Sequence, residues 1–361
     1  MWMASGLIAL GLLTLFVGGE LLVRGASRLA AIAGISPLVI GLTVVAFGTS
    51  APELAVSLKA SWAGQTDIAV GNVVGSNIFN VLFVLGASAL VAPLLVSSQL
   101  IRIDVPLMIA ASVLMWLLGL DGRIGRVDGA MLFAGLLAYI FWSIYQSRRE
   151  TKAVQQEFAE HYEAPPRKLR EFVVQIFFIV AGLLLLTFGA HWLVEGAVVI
   201  ARLWGMSELL IGLTIVSIGT SLPEAAASIV ASLKNERDIA VGNVVGSSIF
   251  NIMCVLALSS VISSEGMTVS PTAMAIDIPV MIAVAVACLP IFFTGYRIDR
   301  WEGGLFFAYY WAYTLYLILV QTRETLSEAW GFVVLAFILP LTIITLLIAA
   351  VRSRKATAEA V

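Results

Sequence analysis

Two glutamates, Glu53 and Glu224, stand inside apolar runs that also carry hydroxyl and amide groups at repeated spacings. The first lies in AFGTSAPEL and the second in SIGTSLPEA. A carboxylate at membrane depth is costly and by default functional. Thr49, Ser50, Thr220 and Ser221 add hydroxyls at the same level. Pro52 has no amide hydrogen and crowds the carbonyl of Gly48, as Pro223 crowds that of Gly219. Each helix should therefore open there and release the carbonyls of Ala46 to Thr49 and of Ser217 to Thr220. Carbonyls freed inside a bilayer need protein, water or an ion as partner.

Two further stretches, GNVVGSNIFN from Gly71 and GNVVGSSIFN from Gly242, complete the set. Ser76 and Asn80 are four residues apart and share a helix face, as do Ser247 and Asn251. The donors are thus carboxylates, amides, hydroxyls and carbonyls, with no Cys or His among them. Hard cations suit such a set: Ca2+ takes about 6–8 oxygens, and Na+ tolerates carbonyls and hydroxyls. The chain has only two histidines and no CxxC or HExxH, so metal binding must be oxygen-based. Cys254 and Cys288 imply no disulfide framework. No nucleophile–base pair is visible, so an enzyme is not expected, nor is a cofactor.

The elements that must position these groups are membrane helices. Hydrophobic residues make up 60 % of the chain and charged residues 12 %, against about 25 % charged in soluble domains. About 20 apolar residues cross a bilayer core. On that ruler eleven spans are expected: 2–23, 36–61, 67–91, 103–120, 127–147, 171–200, 207–232, 238–262, 272–294, 301–320 and 328–351. The N-terminal run resembles a signal peptide only superficially, having no basic leader and no polar cleavage region. With the N-terminus outside, sixteen of the 21 basic residues fall inside and five (Lys59, Arg123, Arg126, Arg202, Arg323) fall outside. The positive-inside rule therefore favours N-out and C-in.

The chain repeats itself. IGLTVVAFGTSAPELAVSLKAS from Ile40 matches IGLTIVSIGTSLPEAAASIVAS from Ile211, and DIAVGNVVGSNIFN from Asp67 matches DIAVGNVVGSSIFN from Asp238, both at an offset of 171. IDVPLMIA at Ile103 and IDIPVMIA at Ile276 extend the match. A unit of five helices is odd, so the second copy enters the membrane inverted. Such repeats carry their site at the midplane between copies. The expected fold is an all-α integral membrane protein: repeat one at 1–147, a cytoplasmic linker at 148–170, repeat two at 171–320, and an extra helix with a cytoplasmic tail at 321–361. The core segments are 36–91 and 207–262.

Other polar residues have plainer readings. Gly71, Gly75, Gly242 and Gly246 form G-x-x-x-G pairs and are expected to pack helices, as are Ser57 and Ser228. Asp67 and Asp238 read as helix caps. Asp104 and Asp277, each one residue from a proline, read as helix starts. His191 reads as an interior residue, and Arg202 and Glu208 as interfacial. The linker lacks the acidic spacing of an EF-hand loop.

GTSAPE…GNVVGSNIFN and GTSLPE…GNVVGSSIFN together resemble the calcium/cation antiporter superfamily, specifically its prokaryotic sodium/calcium exchanger branch, over roughly residues 1–320. The resemblance implies that Glu53 and Glu224, with the carbonyls of Thr49 and Thr220, hold Ca2+. It implies that Ser50, Ser76, Ser221, Ser247 and the carbonyls of Ala46 and Ser217 share Na+ with those glutamates, and that Asn80 and Asn251 line the middle. Asn251 stands where the potassium-dependent branch resembles an Asp, which argues against K+ co-transport. The implied activity is electrogenic Na+/Ca2+ antiport in a prokaryotic plasma membrane. Ca2+/H+ antiport is the alternative, since two glutamates can exchange protons. A passive channel would need a continuous pore, which an inverted repeat with broken helices does not favour. The implied partners are Ca2+, Na+ and lipid; no nucleic acid and no obligate protein partner is expected.

Overall fold

A computed structural model describes residues 1–149, 169–206, 211, 214–215, 217–293, 295–322, 331 and 343. The expected eleventh span at 328–351, the linker and most of 207–216, with Glu208, lie outside the described residues.

Within that set, eight helices are long and apolar enough to cross a membrane. They are α1 (Trp2–Ala33), α3 (Thr66–Val91), α4 (Leu100–Leu118), α5 (Arg126–Arg149), α6 (Leu169–Leu203), α8 (Arg237–Ile262), α9 (Ala273–Phe293) and α10 (Arg300–Thr322). Between α1 and α3, Pro37–Thr49 and Ala51–Trp62 form one span bent by 45°, here α2. The bend falls where Pro52 removes a hydrogen bond from the helix ladder. Leu222–Leu233, here α7, is the matching apolar helix after Pro223, preceded by the turn Ser217–Gly219.

Burial sorts the helices into centre and periphery. The apolar windows of α3 and α8 are 72 % and 83 % buried, against 28 % for α6 and 22 % for α10. The outer helices turn Leu10, Leu13, Phe16, Phe177, Leu184 and Phe188 outward, while Glu53, Glu224, Asn80 and Asn251 are sealed inside. A polar centre under an apolar surface is the arrangement a bilayer selects.

α1 and α6 run against each other along a glycine seam. Gly11, Gly18 and Gly25 recur every seventh residue, as do Gly182, Gly189 and Gly196. A Cβ at Gly18 would meet the Gly182 carbonyl at 2.9 Å, and one at Gly11 would meet the Gly189 carbonyl at 2.8 Å, so the two backbones touch. At the ends of the bundle, short strands tie distant connections together. β1 (Leu94–Leu95) pairs with β4 (Arg297–Ile298), and β2 (Arg123–Ile124) pairs with β3 (Met267–Thr268), both antiparallel. α5 lies on α8, and α10 lies on α3.

Three plain readings from the sequence need correction. His191 is an outward residue with a largely exposed side chain, 3.9 Å from Glu195, because an apolar run around a helix gives no clue to which face meets lipid. Asp104 does not start a helix: α4 begins at Leu100, and the carboxylate is buried, accepting from Tyr139 OH at 2.9 Å and Gln99 Nε2 at 3.4 Å. Asp277 likewise accepts from Tyr313 OH at 3.1 Å. Gly242 and Gly246 do pack, against Leu38, Leu42 and Ala46, whereas a Cβ at Gly71 or Gly75 would meet nothing within 4 Å. Asp67 and Asp238 lie in the first turns of α3 and α8, where a carboxylate complements the helix dipole. Arg202 is exposed near the end of α6.

Candidate cation site

Each broken span restarts immediately before a glutamate. Glu53 lies in the first turn of Ala51–Trp62, and Glu224 in the first turn of Leu222–Leu233. The free N–H groups and the dipole at a helix start favour a negative charge there by about 0.3–1 kcal/mol, up to ~2 when partly buried. Both carboxylates are fully buried. The effective penalty for a buried ion is several kcal/mol, so the dipole alone does not balance it.

The next contribution crosses between the two halves of the chain. Ser221 Oγ donates to Glu53 Oε1 at 2.8 Å, and Ser50 Oγ donates to Glu224 Oε1 at 3.0 Å. Each serine belongs to the loop of one broken helix and each glutamate to the other. Ser76 Oγ lies 3.0 Å from Ser221 Oγ. Thr49 Oγ1 lies 3.0 Å from Asn243 Oδ1 and 3.3 Å from Ser247 Oγ. The Ala46 carbonyl accepts from the Ser50 amide at 3.0 Å and from Ser247 Oγ at 3.4 Å, so this carbonyl stays partnered despite the break. The Ser217 side chain lies outside the described residues. Thr220 is half-buried, while Thr49 is fully buried.

Two asparagines that the sequence reading passed over support this centre. Asn72 Nδ2 donates to the Glu53 carbonyl at 3.2 Å and to Ser57 Oγ at 2.9 Å. Asn243 repeats this with the Glu224 carbonyl at 3.3 Å and Ser228 Oγ at 2.9 Å. Their oxygens face threonines of the opposite half, Thr49 for Asn243 and, at 3.4 Å, Thr220 for Asn72. Ser57 and Ser228 are therefore hydrogen-bond acceptors for these amides rather than mere packing. The signal was present: 72, 76 and 80 share one helix face, as do 243, 247 and 251.

What remains is a set of sealed atoms with no partner among the described residues: Glu53 Oε2, Glu224 Oε2, Asn251 Oδ1, and both amide atoms of Asn80. A charge-assisted hydrogen bond is worth about 1.5–3 kcal/mol. One such bond per carboxylate leaves the second oxygen unsatisfied, a debt that a cation would settle. Among the described residues no group of three or more His, Cys, Asp or Glu is present. The donor set is therefore two carboxylates enriched with neutral oxygens, which matches Na+ or Ca2+ and not a soft transition metal.

The shell of membrane-length helices and this sealed oxygen cluster define a multi-pass membrane protein with a buried, oxygen-rich polar centre. A family model described as sodium/calcium exchanger protein matches the chain twice, over residues 3–145 and 174–319. The inner membrane protein YrbG of Escherichia coli K12 is 39 % identical over 287 residues, covering 79 % of this chain and 87 % of that protein. The sodium/calcium exchanger MaX1 of Methanosarcina acetivorans is 31 % identical over 345 residues, covering 87 % of this chain and 98 % of that protein. A solved structure of the sodium-calcium exchanger NCX_Mj, soaked with 10 mM Na+ and zero Ca2+, superposes with a TM-score of 0.73 at 30 % identity, over 89 % of this chain and 99 % of that one. The chain belongs to the sodium/calcium exchanger protein family, whose members are secondary transporters and not enzymes.

Proposed function

We propose that this chain exchanges Na+ for Ca2+ by alternating access, electrogenically and without K+, in a prokaryotic plasma membrane. The observation that carries the reading is the crossed pairing of Ser221 with Glu53 and of Ser50 with Glu224, with one oxygen of each glutamate left over. Glu53, Glu224 and the carbonyls of Thr49 and Thr220 hold Ca2+. Ser50, Ser76, Ser221, Ser247 and the carbonyls of Ala46 and Ser217 share Na+ with the glutamates, and Asn80 and Asn251 line the centre. Because both ions use the same oxygens, one must leave before the other binds, and that competition couples the fluxes. Two ionised glutamates neutralise one Ca2+. More than two Na+ per cycle then leave net positive charge, so exchange carries current.

The architecture in this reading is two inverted five-helix repeats, 1–147 and 171–320, joined by a cytoplasmic linker at 148–170. An eleventh helix and cytoplasmic tail follow at 321–361, and the N-terminus lies outside. Two observations support the inversion. The family model matches both halves. The connection between α3 and α4 pairs with that between α9 and α10, and the connection between α4 and α5 with that between α8 and α9. The repeat equivalents, α3–α4 and α8–α9, thus sit at opposite ends of the bundle, as inversion requires.

The test is radiolabelled Ca2+ uptake into Na+-loaded proteoliposomes with and without an outward Na+ gradient, and a Na+-free arm with a pH gradient. Gradient-dependent uptake that vanishes without Na+ is expected. Uptake driven by the pH gradient alone would replace this reading with Ca2+/H+ antiport.

A further inference from the structure

Within the repeated ten-residue stretch the two copies differ at one place, Asn77 in the first and Ser248 in the second. Asn77 is buried. Its Nδ2 donates to the backbone carbonyl of Ser248 at 3.2 Å and lies 3.5 Å from Met281 Sδ. Both partners can only accept, so the amide of Asn77 has one allowed orientation, with its NH2 toward them. Its Oδ1 then faces Asn251, whose Nδ2 donates to it at 3.0 Å. Asn251 must therefore turn its own Oδ1 away, and that oxygen is buried with no partner among the described residues. Asn251 lies one turn beyond Ser247, on the face of α8 that meets Thr49.

The first copy has no such brace. Asn80 is the counterpart of Asn251, and neither of its amide atoms has a partner among the described residues. The counterpart of Asn77 is Ser248, whose hydroxyl donates to the Val244 carbonyl of its own helix at 2.9 Å. Resting on the cation reading above, we infer that Asn77 is a positioning residue that locks Asn251 with its carbonyl oxygen toward the ions. The two central asparagines are then unequal. Asn251 is a fixed oxygen ligand, because the end of its amide that would repel a cation is held by Asn77. Asn80 must choose its orientation when an ion arrives.

The test is a double-mutant cycle between Asn77→Ser, which installs the residue of the other copy, and Asn251→Asp. A carboxylate presents oxygen at both ends and needs no orienting. Asn77→Ser alone should raise the half-saturating cation concentration roughly tenfold, the size of one oriented polar contact, with maximal exchange rate retained. In the Asn251→Asp background it should raise it not at all. The same curves are to be read from Na+- and Ca2+-induced thermal shifts of the purified protein, which report binding without transport. Wild-type protein that shifts with ions but shows no Na+-driven flux would sink the antiport reading alone, and the shift cycle would still decide the role of Asn77. An equal effect in both backgrounds, or a wild type that shifts with neither ion, would overturn the inference. Asn77→Ala is the second variant and should behave alike; failure of both variants to fold would mark Asn77 as structural and overturn it too.

Discussion

Ser221 Oγ lies 2.8 Å from Glu53 Oε1 although 168 residues of chain separate them. The loop of the second broken helix therefore completes the carboxylate of the first, and Ser50 returns the contact to Glu224 at 3.0 Å. Neither half of the chain supplies the serine partner of its own glutamate.

Removing one carboxylate should stop Ca2+ exchange without unfolding the protein. Glu53→Gln or Glu224→Gln keeps the shape and the bond from serine, but leaves a divalent ion half-neutralised in a poorly screening interior. Ca2+ flux in proteoliposomes should fall to background, while the thermal midpoint stays at or above that of the wild type. Wild-type flux in either variant would place the ion elsewhere.

The serines should act on binding rather than on shape. Ser221→Ala removes the donor to Glu53 and the neighbour of Ser76, and Ser50→Ala removes the donor to Glu224. Each should raise the half-saturating Na+ concentration on the order of tenfold, the equivalent of about 1.4 kcal/mol. Titration of Na+ against a fixed Ca2+ load measures this. A Na+ curve superimposable on the wild type would remove that serine from the site.

Asn243→Ala should cost stability as well as flux. The amide binds the Glu224 carbonyl and Ser228 Oγ, and its oxygen faces Thr49. A buried group left unsatisfied costs about 1–3 kcal/mol, so a loss on the order of 2–4 kcal/mol is expected. Thermal denaturation of the detergent-solubilised protein should show a clear fall. An unchanged midpoint would mean that water replaces these bonds without cost.

The glycine seam makes a contrast within one helix. A leucine at Gly18 has no room, since even a Cβ would sit 2.9 Å from the Gly182 carbonyl, whereas a Cβ at Gly6 would meet nothing within 4 Å. Gly18→Leu should force α1 and α6 apart and abolish a stable, monodisperse product. Gly6→Leu should purify and transport normally. Size-exclusion profiles of the two variants decide the matter.

Periodicity and the repeat made most of the described spans, the break at Pro52 and both glutamates legible, although α1, expected at 2–23, runs on to Ala33, and the expected eleventh span lies outside the described residues. α2 runs 37–62 where 36–61 was expected, and α3 runs 66–91 where 67–91 was expected. Sequence was weakest where a partner is distant. Asp104 reads as a helix start until Tyr139 appears beside it. Asn72 and Asn243 hide inside G-x-x-x-G, a pattern that packing alone explains. Asn77 lies off the face shared by Ser76 and Asn80, and its partners Ser248, Asn251 and Met281 all come from the other half.

The seam between α1 and α6 also sets an order of manufacture. α1 ends at Ala33 and α6 begins at Leu169. At about 5–20 residues per second, synthesis of the intervening chain takes roughly 7–27 s. For that interval Gly11, Gly18 and Gly25 face something other than their final neighbour, and Glu53 has no Ser221. A ribosome stalled before Ser221 would leave a membrane-embedded fragment with one carboxylate and half the oxygens. Such a fragment lacks both Ser221 and Glu224, so the crossed pairing of the two halves forms only once the second has been threaded in beside the first.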